Sequence, residues 1–352
     1  MNKGKTLMSK AILNNRMQEK YQDRRNLAEA RVRRDQATYL EAHTDLKVYI
    51  DNLASTRWDQ LEAIIDNAPI KGFDRYLASP EELKYESLNL QDTAVDEDNP
   101  KYKEYLALAD AYYACSVCKD QGRLADNTKC PNCYGKTWRE VLAENLSVGI
   151  PDANANFADF DIEIFSDTEI AMKQNKTTQK LQMQENLSLA NNFVKNFPDG
   201  KSNLYFNGKT GTGKTYLAQA IANALIDKGA LALMYSSLEF EEIINNLRIK
   251  QKTYSVKAEE LEAVQNAYNL LLEADLLVID DFGVLAGILQ NPLAEILNML
   301  RERSLRGKQT IITSNLSIFK LKEVFDERLF SRLLDSFRII PFLGEDIRLR
   351  RR

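Results

Sequence analysis

Residues 208–215 read Gly-Lys-Thr-Gly-Thr-Gly-Lys-Thr and combine backbone freedom with a cation and a hydroxyl group. Glycines let successive main-chain N–H groups turn toward one anion, and a helix that begins here adds the positive end of its dipole. Lys214 can reach the β- and γ-phosphates of ATP, and the Thr215 hydroxyl can bind Mg²⁺. The candidate nucleotide-binding residues are Gly208, Lys209, Thr210, Gly211, Thr212, Gly213, Lys214 and Thr215.

The apolar run 276–279 ends in two carboxylates, Asp280 and Asp281. Side chains at the carboxyl ends of parallel strands meet at one edge of the sheet, so these two should lie beside the phosphate loop. Asp280 is the candidate Mg²⁺ ligand, and Asp281 is the candidate to orient or deprotonate the attacking water. Because aspartate is one methylene shorter than glutamate, we expect weak turnover. Acidic residues that merely cap a strand are the alternative.

Three further polar residues could contact the nucleotide. Asn315 follows the apolar run 310–313 and is a candidate to approach the γ-phosphate, with a turn-forming asparagine as the alternative. Arg328 and Arg332 lie one helical turn apart, and either could extend an arginine finger into the site of a neighbouring subunit. An exposed salt bridge is the alternative for the arginines. A finger that acts between subunits predicts a homo-oligomer.

The four cysteines form two Cys-x₂-Cys pairs, Cys115 with Cys118 and Cys130 with Cys133. Each pair places two thiolates on one turn, and two pairs together predict a closed, structural Zn²⁺ site. Disulfide bonds are the alternative, and the lack of an export signal makes them a weak one. Acidic and basic residues both flank the cysteines, so either protein or nucleic acid could be the partner of this module.

The elements that position these residues follow from apolar periodicity. Apolar residues at helical spacing between residues 10 and 65 predict a helical N-terminal region, and a further helix should span 102–114. From residue 186 onward, strand and helix patterns alternate, which indicates an α/β domain with a five-stranded, largely parallel sheet. The predicted strands are 203–207, 231–236, 276–279, 310–313 and 337–341, and the predicted helices are 215–228, 238–249, 257–273 and 292–306.

Four segments emerge from this reading of the sequence. Residues 1–100 should form a helical N-terminal domain, and residues 101–145 should form the zinc module. Residues 146–185 contain Gly-Ile-Pro-Asp and an asparagine-rich stretch, and are expected to be a linker. Residues 186–352 should form the nucleotide-binding domain.

Composition limits the class of protein. The chain has 352 residues, of which 44% are hydrophobic and 28% charged, and no apolar run reaches the roughly 20 residues of a membrane-spanning helix. We therefore expect a cytoplasmic protein without membrane contact. The single histidine, His43, leaves catalysis to carboxylates, lysine, arginine and a metal ion. Basic residues dominate before residue 35 and could meet nucleic acid or an acidic partner, or form a solvated helix face.

The segments NLYFNGKTGTGKTYLAQAIANAL, LLVIDDFG, TIITSNL and ERLFSRLL together resemble the DnaC/DnaI-type replicative helicase loaders, an IstB-like branch of the AAA+ ATPases. The resemblance covers residues 155–350, and a cysteine-rich module ahead of the ATPase domain is similar to the DnaI side of the family. It implies an AAA+ fold without a full lid. It also implies ATP, Mg²⁺ and Zn²⁺ as cofactors, and weak ATP hydrolysis that DNA stimulates.

The same resemblance implies partners and residue roles. About six subunits would form a spiral that binds single-stranded DNA and loads a hexameric DnaB-type replicative helicase during initiation of replication, with the N-terminal zinc domain binding the helicase. Asn315 would be the sensor, Arg332 rather than Arg328 the finger, and Arg348 a second sensor. The rival interpretations are an IstB-type transposase helper that acts on duplex DNA, and an adaptor that binds ATP without hydrolysing it.

Overall fold

The computed structural model describes residues 9–52, 55, 99–171, 176–200, 202–253, 256–283, 293–324 and 327–349, and the statements on structure below concern these residues. The chain divides into two compact units. The first consists of Met1–Gln18 and Pro131–Arg352, and the second of Glu19–Cys130. Among the described helices, none is long and apolar enough to cross a membrane.

The described part of the second unit is helical as far as Leu108. Helix α1 (Lys10–Ala42) begins in the first unit and continues into the second, residues 44–52 are also helical, and α2 spans Pro100–Leu108. Leu46, Ile50 and Tyr102 form a small buried cluster. The predicted N-terminal helical region is therefore seen as far as residue 52, and its remainder up to 65 lies outside the described residues, except for helical residue 55. The helix predicted at 102–114 is shorter, because turns replace it after Leu108.

A five-stranded parallel sheet forms the centre of the first unit, in the order β4-β5-β6-β3-β7. A two-stranded antiparallel sheet, β1 with β2, lies ahead of it in the chain. Because its strands are largely buried, the parallel sheet reads as continuous apolar runs in the sequence. The strands are β1 (Glu169–Ala171), β2 (Lys176–Thr178), β3 (Asn203–Gly208), β4 (Ala232–Ser236), β5 (Leu276–Asp280), β6 (Gln309–Ser314) and β7 (Phe337–Phe342).

Helices pack against this sheet. Helix α5 contacts β3 to β6, α6 contacts β4 and β5, and α8 contacts β6. Leucine, isoleucine and alanine form the buried face of α5, where Leu217, Ile221 and Leu225 follow one another at four-residue steps. The helices of this unit after α1 are α3 (Tyr134–Asn145), α4 (Gln179–Lys195), α5 (Lys214–Asp227), α6 (Ser237–Lys252), α7 (Ala258–Glu273), α8 (Leu293–Leu305), α9 (Ile318–Val324) and α10 (Glu327–Ser336).

The predicted α/β fold is confirmed, and most predicted strand and helix limits lie within one residue of the observed ones. The predicted linker 146–185 needs correction, because it contains β1, β2 and the start of α4. Leu146, Ala155 and Phe165 are buried within it. Its apolar residues are widely spaced among asparagine and aspartate, so they show no periodicity in the sequence. The other domain limits stay predictions.

Candidate nucleotide-binding site

The phosphate loop lies where β3 ends and α5 begins, as its sequence predicts. Gly211 and Gly213 have φ of 73° and 93°, in the left-handed region that glycine adopts without strain. A Cβ atom at Gly208 would approach the carbonyl oxygen of Phe342 to 2.2 Å. The Thr212 hydroxyl donates to Lys209 O at 2.8 Å and closes the turn. Glycine is therefore required by conformation or by space at all three positions.

Lys214 is buried at the first position of α5. Its ammonium donates to the carbonyl oxygens of Gly208 and Lys209 at 2.8 and 2.7 Å, and to Asn315 Oδ1 at 2.8 Å. Burial lowers the pKa of Lys214, while the nearby carboxylates of Asp281 and Asp280 oppose that shift. The structure thus brings together the candidate phosphate-binding lysine and the candidate sensor.

Asp280 lies opposite Thr215 at the carboxyl end of β5. The Thr215 hydroxyl donates to Asp280 Oδ1 at 3.0 Å, and Thr313 donates to the same oxygen at 2.5 Å. Burial and the neighbouring charge of Asp281 raise the pKa of Asp280, and the hydrogen bonds from Thr313 and Thr215 oppose this rise. A hydroxyl and a carboxylate beside a phosphate loop are the donor set that Mg²⁺ prefers, so Thr215 and Asp280 fit this ion.

Asp281 adopts a φ of 53°, a conformation that is uncommon for residues other than glycine. Its main-chain N–H donates to Thr313 Oγ1 at 3.0 Å. Asp281 also lines a cavity of about 320 Å³ together with the phosphate loop and Asn315. The two candidate acids therefore have different positions, Asp280 beside Thr215 and Asp281 on the cavity wall.

Aromatic side chains ahead of the sheet form another wall of this cavity. Phe160 and Phe165 stack with ring centroids 5.8 Å apart and planes at 5°, and Tyr216 meets Phe160 edge to face at 5.6 Å. The Tyr216 hydroxyl donates to Asn156 O at 3.1 Å, which ties this segment to α5. Sequence reasoning missed Phe160 and Phe165 because they fall in the predicted linker. The phenylalanines in an otherwise polar stretch were the available signal.

The segment after β7 covers the phosphate loop. Ile347 N donates to Gly211 O at 2.9 Å, and a Cβ atom at Gly211 would lie 1.9 Å from Asp346 Oδ1. Arg348, the candidate second sensor, lines the cavity, although 73% of its side chain is exposed. Its role stays a prediction. The basic residues 350–352 lie outside the described residues.

The candidate arginine fingers lie on α10. Arg332 is half-buried and is not among the residues that line the cavity of its own chain. Arg328 belongs to the same helix, but its side chain lies outside the described part of the structure. A finger that acts on a neighbouring subunit has no need to line its own site, so the finger assignment stays a prediction.

The four cysteines gather as predicted. Their sulfur atoms all lie within 4.8 Å of one another, and none is in a disulfide. Cys115 Sγ and Cys130 Sγ are 3.8 Å apart, and tetrahedral Zn–S bonds of about 2.3 Å require a separation of about 3.8 Å. The cluster therefore fits Zn²⁺. Buried Asp120 shapes the first turn by accepting from the N–H groups of Ala114 and Cys115, each at 2.9 Å.

Fold and site together define a P-loop nucleotide-binding protein of the AAA+ class. A family model described as "IstB-like ATP binding protein" matches residues 158–352, and the chain belongs to this family. ATP is therefore its nucleotide.

Curated relatives lie among replication proteins. The replicative helicase loader DnaC of Escherichia coli K12 is 28% identical over 148 residues, 42% of this chain and 56% of DnaC. The replication initiator DnaA of Aliarcobacter butzleri is 34% identical over 135 residues, 38% of this chain and 27% of DnaA. The chain thus spans little more than half, or less, of the relatives it matches. The similarity to helicase loaders that the sequence predicted is confirmed.

Solved structures include a crystal structure of the DnaC helicase loader. The structural match covers 54% of the present chain and 97% of the DnaC chain, at 21% sequence identity and a TM-score of 0.40.

Proposed function

We propose that this protein hydrolyses ATP in order to load a hexameric DnaB-type replicative helicase onto single-stranded DNA. The observation that carries the proposal is the paired geometry at the phosphate loop, where Lys214 contacts Asn315 and Thr215 contacts Asp280. The identity with DnaC supports helicase loading as the use of this site.

Hydrolysis follows from the positions of these side chains. Lys214 leaves the carbonyl oxygens of Gly208 and Lys209 and binds the phosphates, while Asn315 stays beside it near the γ-phosphate. Thr215 and Asp280 hold Mg²⁺, which when bound neutralises charge on the β- and γ-phosphates. Asp281 orients the attacking water and accepts its proton on a carboxylate oxygen. The short side chain of Asp281 supports a weak turnover, and in this proposal single-stranded DNA stimulates it.

The aromatic wall is assigned to the adenine base. Phe160 offers a flat apolar surface within the cavity, and the edge-to-face contact with Tyr216 keeps its ring in place. Replacing Phe160 with alanine should weaken ATP binding about 10-fold, since an aromatic contact contributes about 0.5–1.5 kcal/mol beyond its buried area. Isothermal titration with a non-hydrolysable ATP analogue measures the effect.

Phe193→Ala is the matched control, because Phe193 also pairs with a phenylalanine, Phe197, but does not line this cavity. Equal ATP affinities in the Phe160→Ala and Phe193→Ala variants would show that adenine does not bind this wall.

The remaining parts of the chain serve assembly in this proposal. The N-terminal domain and its Cys115–Cys133 zinc module bind the helicase. The AAA+ domains of about six subunits form a spiral around single-stranded DNA. Arg332, or Arg328 one turn before it, reaches the ATP of the neighbouring subunit, and Arg348 acts as the second sensor in its own subunit.

Native mass spectrometry tests the proposal. The full chain is mixed with the replicative helicase hexamer of the same organism, with ATP and without it, and transfer of the helicase to circular single-stranded DNA is measured in parallel. A complex with the helicase, and transfer that the Lys214→Ala variant fails to support, are expected. A protein that binds no helicase contradicts the proposal.

A second function, ATP-dependent assistance of a transposase on duplex DNA, is favoured by the IstB-like family match itself. ATP-dependent assembly on duplex DNA without helicase binding would select it.

A further inference from the structure

The two candidate acids lie at the end of β5 and in the turn after it, and both are bonded to Thr313 of β6, while the neighbouring Ser314 hydroxyl donates to Phe282 O at 2.6 Å. Thr313 is fully buried in β6, the central strand of the sheet, between β5 and β3. Its hydroxyl donates to Asp280 Oδ1 and accepts from the main-chain N–H of Asp281, and its carbonyl oxygen accepts from Phe282 N at 2.8 Å. Three consecutive residues, the last of β5 and the two that follow it, are thus bonded to one threonine.

A threonine hydroxyl has one proton to donate, so its orientation is determined here. Asp281 N supplies a proton to Oγ1, which leaves the hydroxyl proton for the carboxylate of Asp280. The two bonds therefore depend on each other. One fixes the carboxylate beside Thr215, and the other holds the left-handed backbone of Asp281, a conformation that costs about 1–2 kcal/mol for residues other than glycine.

We propose that Thr313 is a positioning residue of the ATPase site, which orients Asp280 for Mg²⁺ and sets the direction of the Asp281 carboxylate. This inference rests on the proposed function. In this inference a buried residue that does not line the cavity gives the two acids their different positions, and therefore their different roles. Partners that orient metal ligands typically change metal affinity or activity 10–100-fold when they are removed.

The alternative is a buried threonine whose hydroxyl merely satisfies its neighbours. Thr310 is the matched control for that case. It lies on the same strand, is 2% exposed, and its hydroxyl accepts from Arg303 Nε at 3.0 Å. Thr310→Val removes a buried hydroxyl from β6 at a distance from Asp280 and Asp281. Any effect of general strand damage should appear in both valine variants.

The deciding measurement is the ratio of two dissociation constants for a non-hydrolysable fluorescent ATP analogue, one in EDTA and one in Mg²⁺. Thr313→Val should lower this ratio about 10-fold relative to wild type, with the constant in EDTA unchanged. Thr313→Ser should restore the wild-type ratio because it keeps the hydroxyl, and Thr310→Val should retain it. If the valine variant does not fold in a thermal melt, Thr313→Ala takes its place.

Each outcome decides between the hypotheses. An unchanged ratio in Thr313→Val, or an equal fall in Thr310→Val, overturns the positioning role alone. A wild-type protein that gains no affinity from Mg²⁺ overturns the proposed Mg²⁺ site at Thr215 and Asp280 and this inference with it. A wild-type protein that does not hydrolyse ATP, but whose ratio falls in Thr313→Val, contradicts only the proposed hydrolysis.

Discussion

Replacing Lys214 with alanine is expected to weaken ATP binding about 100-fold and to abolish hydrolysis, because the variant loses a buried cation that binds phosphate. A hydrogen bond to a charged group contributes about 1.5–3 kcal/mol, and 100-fold corresponds to about 2.7 kcal/mol. The variant also leaves Asn315 Oδ1 and two loop carbonyl oxygens without the donor they share. Isothermal titration and phosphate release measure the two effects.

Lys228→Ala provides the control for a lost lysine. Lys228 is the C-cap of α5, the helix that Lys214 begins, and its ammonium donates to a main-chain oxygen, Val194 O, at 2.7 Å. This variant should bind ATP like the wild type. A Lys214 variant that binds ATP as tightly as the Lys228 variant would show that the loop does not hold phosphate.

Replacing Cys118 with serine is expected to reduce bound zinc from about one ion per chain to near zero and to expose residues 115–133 to protease. Structural zinc binding provides about 10–16 kcal/mol in small zinc peptides, so three thiolates should not maintain the module. Elemental analysis gives the zinc content, and limited proteolysis with mass spectrometry locates the exposed segment.

Ser116→Ala is the matched control, since Ser116 lies within the same Cys-x₂-Cys turn but is exposed. It should retain the metal. Full zinc content in the Cys118 variant, or a wild-type protein purified with zinc and reductant that carries none, would contradict a four-thiolate site.

The phosphate loop, the acids at the carboxyl end of β5 and the asparagine after β6 could be located from sequence because each lies where a buried strand ends. Parallel strands deliver their ends to one edge, so a local pattern was enough to place residues 65 to 101 positions apart in contact. The cysteine cluster could also be predicted from a local pattern, the two Cys-x₂-Cys pairs. These predictions required no knowledge of contacts between residues that are distant in the sequence.

The aromatic wall, the Thr313 contacts and the cover over Gly211 could not be predicted in the same way. Phe160 can be recognised as part of the cavity wall only from the contact of its ring with Tyr216, which the sequence does not show. Thr313 reaches Asp280 because of the register that pairs Ile279 with Ile312, and an apolar run does not encode register by itself. Asp281 adopts a left-handed backbone that the sequence would assign more readily to glycine.

The strand order has a consequence for how the chain folds during synthesis. Strand β3 leads into the phosphate loop, yet its neighbours are β6 and β7, and the side chain of Asn203 bonds to residues 107 and 133 positions later. A ribosome must therefore make nearly all of the described chain before β3 has a neighbour on either side. Pairing over such separations is slow, because loop closure has to precede the contacts that compensate for it. ATP binding is thus expected to follow the late assembly of this sheet.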